Sequence, residues 1–98
     1  MFYLKIHKNR FGREVLAVCD EDILGKTFED GEICFEVKKD FYNGDKVTEE
    51  EAENFLIVSQ NFNLIGKKII ALALRIKLID KENIIKIKGV PYAQGHSI

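Results

Sequence analysis

Proline occurs once in this sequence, at Pro91, and cysteine and histidine twice each. Each scarcity removes a class of protein. Two cysteines, Cys19 and Cys34, make no disulfide framework and suit reduced thiols in a cytosolic protein. Cys19, Cys34, His7 and His96 lack the C-x-x-C or H-x-x-x-H spacing that gathers zinc ligands, so no metal is expected. The longest apolar run is Ile69 to Leu74. A membrane helix needs roughly 18 such residues, so no membrane partner is expected. The opening "MFYLKIHKNR" places its charges after a very short apolar start, the reverse of a signal peptide.

Catalytic signatures are as thin. "LGKTF" matches the end of a phosphate-binding loop, but Asp20 stands where that loop's first glycine belongs. Asp20, Glu21 and Asp22 beside Cys19 oppose formation of a nucleophilic thiolate. There is no Ser-x-Gly elbow. No cofactor is expected, and the balance leans away from an enzyme.

What is present is ordinary globular material: 98 residues, 46% hydrophobic and 32% charged, enough for one domain with one core. The net charge is −1, but residues 1–13 carry +4, residues 14–36 carry −7, residues 37–56 carry −3 and residues 57–98 carry +5. Basic ends flank an acidic middle, and a basic patch forms if the ends meet in space.

Periodicity supplies the elements. "FYLKIHK" alternates, with Phe2, Leu4 and Ile6 on one side and Tyr3, Lys5 and His7 on the other, which predicts a half-buried strand. "NRFG" is a turn and "EVLAVC" a more central strand. "DEDILG" reads as a short helical turn capped by Asp20. "EICFEVK" alternates again, burying Ile33, Phe35 and Val37, and "YNGD" turns. Thr48 and Glu51 form a capping box opening a helix that buries Ala52, Phe55 and Leu56. A break at Asn61–Gly66 leads to a second helix, Gly66 to Leu78, apolar almost all round. "IIKIK" is the last strand, with Ile85 and Ile87 inward and Lys86 and Lys88 outward. The expected fold class is α+β: a two-layer sandwich in the order β-β-β-α-α-β, with an antiparallel or mixed sheet and two helices on one face. Residues 1–94 form the single domain and 95–98 a frayed tail. Pro91 stiffens the segment between the last strand and that tail.

"YLKIHK", "EVLAVCDEDILGKTFEDG", "KKDFYNG", "NLIGKKIIALAL" and "IIKIKGVPYAQ" together resemble the archaeal domain-of-unknown-function family 424, over about residues 1–94. The resemblance implies an archaeal protein with a compact α/β domain and supplies no agreed activity. The family's closing motif more often reads Val-Pro-His-Ala-Gln; here Tyr92 takes the histidine's place.

Three functional readings stay open. The first is a non-catalytic module contacting RNA or a ribonucleoprotein such as the ribosome. Lys5, Lys8, Arg10, Arg13, Lys86 and Lys88 position phosphates on a basic sheet face. Tyr3, His7 or Tyr92 stacks a base, with Gln94 at the edge. That face requires the first and last strands to be neighbours. The second is a protein-protein adaptor or homodimer using Lys67, Ala71, Leu74, Arg75 and Leu78 on the second helix. The third is a small enzyme using Tyr92, Gln94 and His96 with Cys19.

Overall fold

The computed structural model describes residues 1–96. Among them, six strands form one mixed sheet and two more form a separate hairpin. The large sheet contains β1 (Phe2–Lys8), β2 (Glu14–Asp20), β5 (Asp45–Val47), β6 (Asn61–Ile65), β7 (Ile85–Ile87) and β8 (Val90–His96), in the order β5-β1-β2-β6-β8-β7. The hairpin joins β3 (Thr27–Asp30) to β4 (Ile33–Glu36). Three helices, α1 (Lys39–Tyr42), α2 (Glu49–Val58) and α3 (Lys67–Arg75), complete the chain. All pairings in the large sheet are antiparallel except β2 with β6.

The alternation of β1 sorts the sheet into two faces. Phe2 and Leu4 share a face with Leu16, Val18, Phe62, Leu64 and Ala93, and α2 and α3 cover it with Ala52, Leu56, Ile69, Ile70, Leu72 and Ala73. The opposite face is not left to solvent, as a two-layer fold requires. Ala17, Cys19, Ile65 and Val90 lie there under Val37, Tyr42, Phe28, Phe35 and Phe41, which come from the β3–β4 hairpin, α1 and the link between them. The expected pair of layers is therefore three, with the hairpin and α1 as the third.

Four strands, β3, β5, β6 and β8, were not expected where they occur. The segment 61–66, read as a break between helices, holds the parallel strand β6 (Asn61–Ile65), with Gly66 leading into α3. "VPYAQGH", expected to trail behind the last strand, is β8, paired with β6 on one side and β7 on the other. Gly95 and His96, assigned to a frayed tail, pair with Phe62 and Asn61. Ser97 and Ile98 lie outside the described residues. The short β5 pairs with β1 just after the Asn-Gly turn.

The Thr48–Glu51 capping box forms: Thr48 Oγ1 accepts the Glu51 N–H and Glu51 Oε1 accepts the Thr48 N–H. Asp20 does not cap the 3-10 turn that follows it at Glu21–Ile23. Its carboxylate instead accepts the N–H groups of Lys68 at 2.8 Å and Ile69 at 2.9 Å, so it caps α3, 48 residues away in sequence. Burial pushes its carboxyl pKa above the ordinary Asp value, against the pull of the two amides. Gly66 makes that cap possible. Its φ is +126° and a Cβ there would lie 2.3 Å from Asp20 Cγ.

Two substitutions test this join. Asp20→Asn points an amide NH₂ at a backbone N–H and is expected to cost at least about 2 kcal/mol in urea unfolding. Gly66→Ala is expected to destabilise comparably, through strained φ and displacement of the carboxylate. A midpoint unchanged in both variants refutes the cap.

Candidate nucleic-acid interface

The predicted site residues divide into three groups. Tyr3, Lys5 and His7 do share one face of β1, but α1 and its neighbours occupy that face. Lys5 Nζ donates to the Asp40 carbonyl at 2.7 Å. The His7 ring stacks on Phe41, with centroids 4.4 Å apart, and its Nε2 lies 2.7 Å from the Phe41 carbonyl. A carbonyl only accepts, so Nε2 carries the proton. Tyr3 is half-buried against the second core cluster. These side chains hold the third layer down.

Lys86 and Lys88 lie elsewhere. Strands β2, β6 and β8 separate β1 from β7, a spacing of roughly 19 Å at about 4.8 Å per strand. The register also sets Lys86 beside Pro91, on the α2–α3 side, whereas Lys5 lies beside Ala17 on the other. The first and last basic strands are therefore not neighbours, and the pooled sheet face is corrected to two separate basic regions. Both neighbours of β1 are other strands, β2 and β5, and β8 inserts between β6 and β7, which makes β7 an edge.

Tyr92 and Gln94 belong to a polar chain across the third layer. Tyr42 Oη donates to Asn63 Oδ1 at 2.5 Å, Asn63 Nδ2 donates to Tyr92 Oη at 2.9 Å, and Tyr92 Oη donates to Gln94 Oε1 at 2.5 Å. Tyr92 also packs against Phe35. Burial raises the Tyr42 phenol pKa far above its ordinary value, so it acts as a fixed donor. Cys19 is fully buried on the same side of the sheet, and burial, with the Asp20 charge adding to it, pushes its thiol up to about 12. Cys34 is exposed. Among the described residues no three His, Cys, Asp or Glu side chains gather as metal ligands.

The second-helix residues are largely spoken for. Leu74 and Leu78 pack against the core, and Arg75 pairs with Glu53 at 3.2 Å and Glu49 at 3.7 Å. Only Lys67 and the small Ala71 are left outward and uncommitted.

Lys8, Arg10 and Arg13 remain, and the structure gathers them at the β1–β2 turn. Asn9 builds that turn. Its Oδ1 accepts the N–H groups of Phe11 at 2.9 Å and Arg13 at 3.0 Å, while its backbone bonds Arg13 and Gly12. Gly12 takes φ +82°. The turn presents Phe11, 76% exposed, with the Arg10 guanidinium 5.0 Å from its ring centroid. Lys8 makes a loose pair with Glu14 at 3.7 Å, and among the described residues Arg10 and Arg13 have no ion-pair partner.

Beside the turn is a cleft of about 740 Å³. Ile6 and Leu16 of the sheet, Phe55 and Val58 of α2, Phe11 of the turn and Asn61 of β6 line it. It exists because β2 and β6 run parallel and so begin at the same end of the sheet, where α2 stops. Asn61 Nδ2 donates to the Glu14 carbonyl at 3.1 Å and ties those two beginnings together. Val58 is 75% exposed, and Phe55, assigned above to the buried helix face, is partly exposed as well.

Sequence reasoning missed Phe11, Ile6, Phe55, Val58 and Asn61. One signal was available: Phe11 is an aromatic residue inside a turn of cations, with no apolar period to bury it. The others required the parallel pairing.

The fold and site define a small α+β protein with a mixed sheet, a basic aromatic turn and one open cleft beside it. The chain belongs to the family described as "Protein of unknown function (DUF424)", whose model matches residues 8–98. It is similar in fold to the crystal structure of an uncharacterized conserved protein from Methanopyrus kandleri, with a TM-score of 0.79 and 23% identity over 99% of this chain and 91% of that one. No curated protein matches the chain.

The thiols give a direct check on this geometry. At pH 8 the native protein is expected to release one equivalent of chromophore from Ellman's reagent, through Cys34, and two in concentrated guanidinium. Rapid reaction of both thiols in the native state places Cys19 outside the core.

Proposed function

We propose that this protein is an RNA-binding module that uses the β1–β2 turn rather than a sheet face. The observation that carries the reading is the exposed Phe11 with the Arg10 guanidinium near its ring, on a turn that Asn9 fixes through the N–H groups of Phe11 and Arg13. Two guanidinium groups with no ion-pair partner among the described residues suit phosphates, and an exposed ring suits a base. An apolar patch of this kind beside cations is costly to leave in water without a use.

The charge pattern supports the same orientation. Glu21 and Asp22 follow the far end of β2, a seven-residue strand away from Arg13. With a net charge of only −1, attraction to a polyanion is local, and the acidic end turns the basic turn toward it.

Binding of a fluorescent single-stranded RNA is expected to weaken with salt, with a slope of log K against log salt of about −2 for roughly three phosphates. The double variant Arg10→Ala/Arg13→Ala is expected to flatten the slope by about 1 or more and lower the affinity. Lys86→Ala/Lys88→Ala is expected to leave both nearly unchanged. Binding that ignores the turn arginines, or depends on the β7 lysines, refutes the assignment.

A further inference from the structure

We infer that the RNA is single-stranded at this site, with an unpaired base lowered into the cleft between the turn and the end of α2. This rests on the RNA-binding reading and adds the class of ligand to it.

Arg10 and Arg13 alone do not distinguish single strands from duplexes, since both offer phosphates. The cleft does. Its lining is mixed: Ile6, Phe55, Val58 and Phe11 supply exposed apolar surface, and Arg13, Gln60 and Asn61 supply polar groups. Phosphate and ribose gain little from the apolar part of that lining. A base offers flat apolar faces, and only an unpaired base presents them to a protein. The polar rim agrees. Asn61 commits its amide nitrogen to the Glu14 carbonyl, so its oxygen is the group it offers to a base edge, and the exposed Gln60 lies next to it. The cleft volume, about 740 Å³, falls within the roughly 300–1,000 Å³ typical of small-ligand sites. The charges complete the fit: the cations lie on the turn side of the cleft, and Glu14, the acidic residue on its lining, is paired with Lys8.

The experiment compares three probes of equal length by fluorescence anisotropy: a single-stranded oligoadenylate, an abasic ribose-phosphate strand, and a blunt RNA duplex. The intact strand is expected to bind at least about tenfold tighter than either competitor, as stacking on one aromatic site allows. Val58→Gln and Phe11→Ala, at exposed positions and without change of charge, are expected to erase that preference while the residual salt-dependent binding persists. Equal affinity for all three probes, with Arg10→Ala/Arg13→Ala still weakening each, overturns the base-insertion inference alone. Absence of binding to every probe overturns both readings. A dimer in sedimentation that Val58→Gln dissociates, with no RNA bound, assigns the cleft to a second copy of the chain and overturns both as well.

Discussion

The parallel pairing of β2 with β6 is the join on which the rest of the structure depends. It unites an N-terminal hairpin with the helical second half of the chain, across the 40-residue connection 21–60. Parallel ladders hold less tightly than antiparallel ones and need their faces covered. Here both ends of the pair are reinforced by a side chain. At the start, Asn61 Nδ2 reaches the Glu14 carbonyl; at the finish, the Asp20 carboxylate reaches the N-terminal amides of α3. Asp20 is the only charged side chain among the buried residues described. Its two amide bonds, together with the helix dipole, offset the desolvation that would otherwise expel it.

The same pairing explains what the sequence revealed and what it hid. β1, β2 and the Thr48–Glu51 cap carry their signals locally, in alternation, in an apolar run and in a four-residue box, and all were legible. β6 was not. "NFNLI" lies between two helical patterns, and its Asn residues read as a break. What makes Asn63 acceptable inside a sheet is Tyr42 and Tyr92, which come from segments far away and satisfy its amide on both sides. β8 was hidden by Pro91, which argues against an inner strand. Pro91 is the second residue of β8, where the missing N–H falls near the strand's start, and its carbonyl accepts the Gly66 N–H at 2.9 Å. With β5, β6 and β8 unseen, the edge of β1 away from β2 looks free for "IIKIK", and the pooled basic face follows; β5 holds that edge.

The third layer shows why the outward residues of β1 were misassigned. Alternation says which side chains share a face, not what lies on it. Tyr3, Lys5 and His7 looked solvent-facing because nothing local announces that α1 and the hairpin fold back over them. Phe28, Phe35 and Phe41 are the visible trace of that cover, since three aromatics in two short segments need somewhere to go. The apolar second side of α3 resolves the same way: Leu74 and Leu78 find their partners within the chain.

Removing those residues from consideration sharpens the case for the turn. A surface used for recognition must hold its contact groups still before the ligand arrives, or binding is weakened by the cost of ordering them. A lysine side chain loses much rotamer freedom when a ligand fixes it. The β1–β2 turn differs, because Asn9 fixes its backbone through two side-chain bonds and Gly12 supplies the positive φ that closes it. Phe11 has few rotamers to lose, and the Arg10 guanidinium is already placed near its ring. The turn also rides on β1 and β2, whose antiparallel register is continuous over seven pairs. Cations and an aromatic ring thus meet beside the cleft at one end of the β1–β2 hairpin, whereas Glu21 and Asp22 follow β2 at the other end, with Glu21 paired to Lys46. That segregation, in a chain whose net charge is −1, is the feature on which the proposed recognition of a polyanion rests.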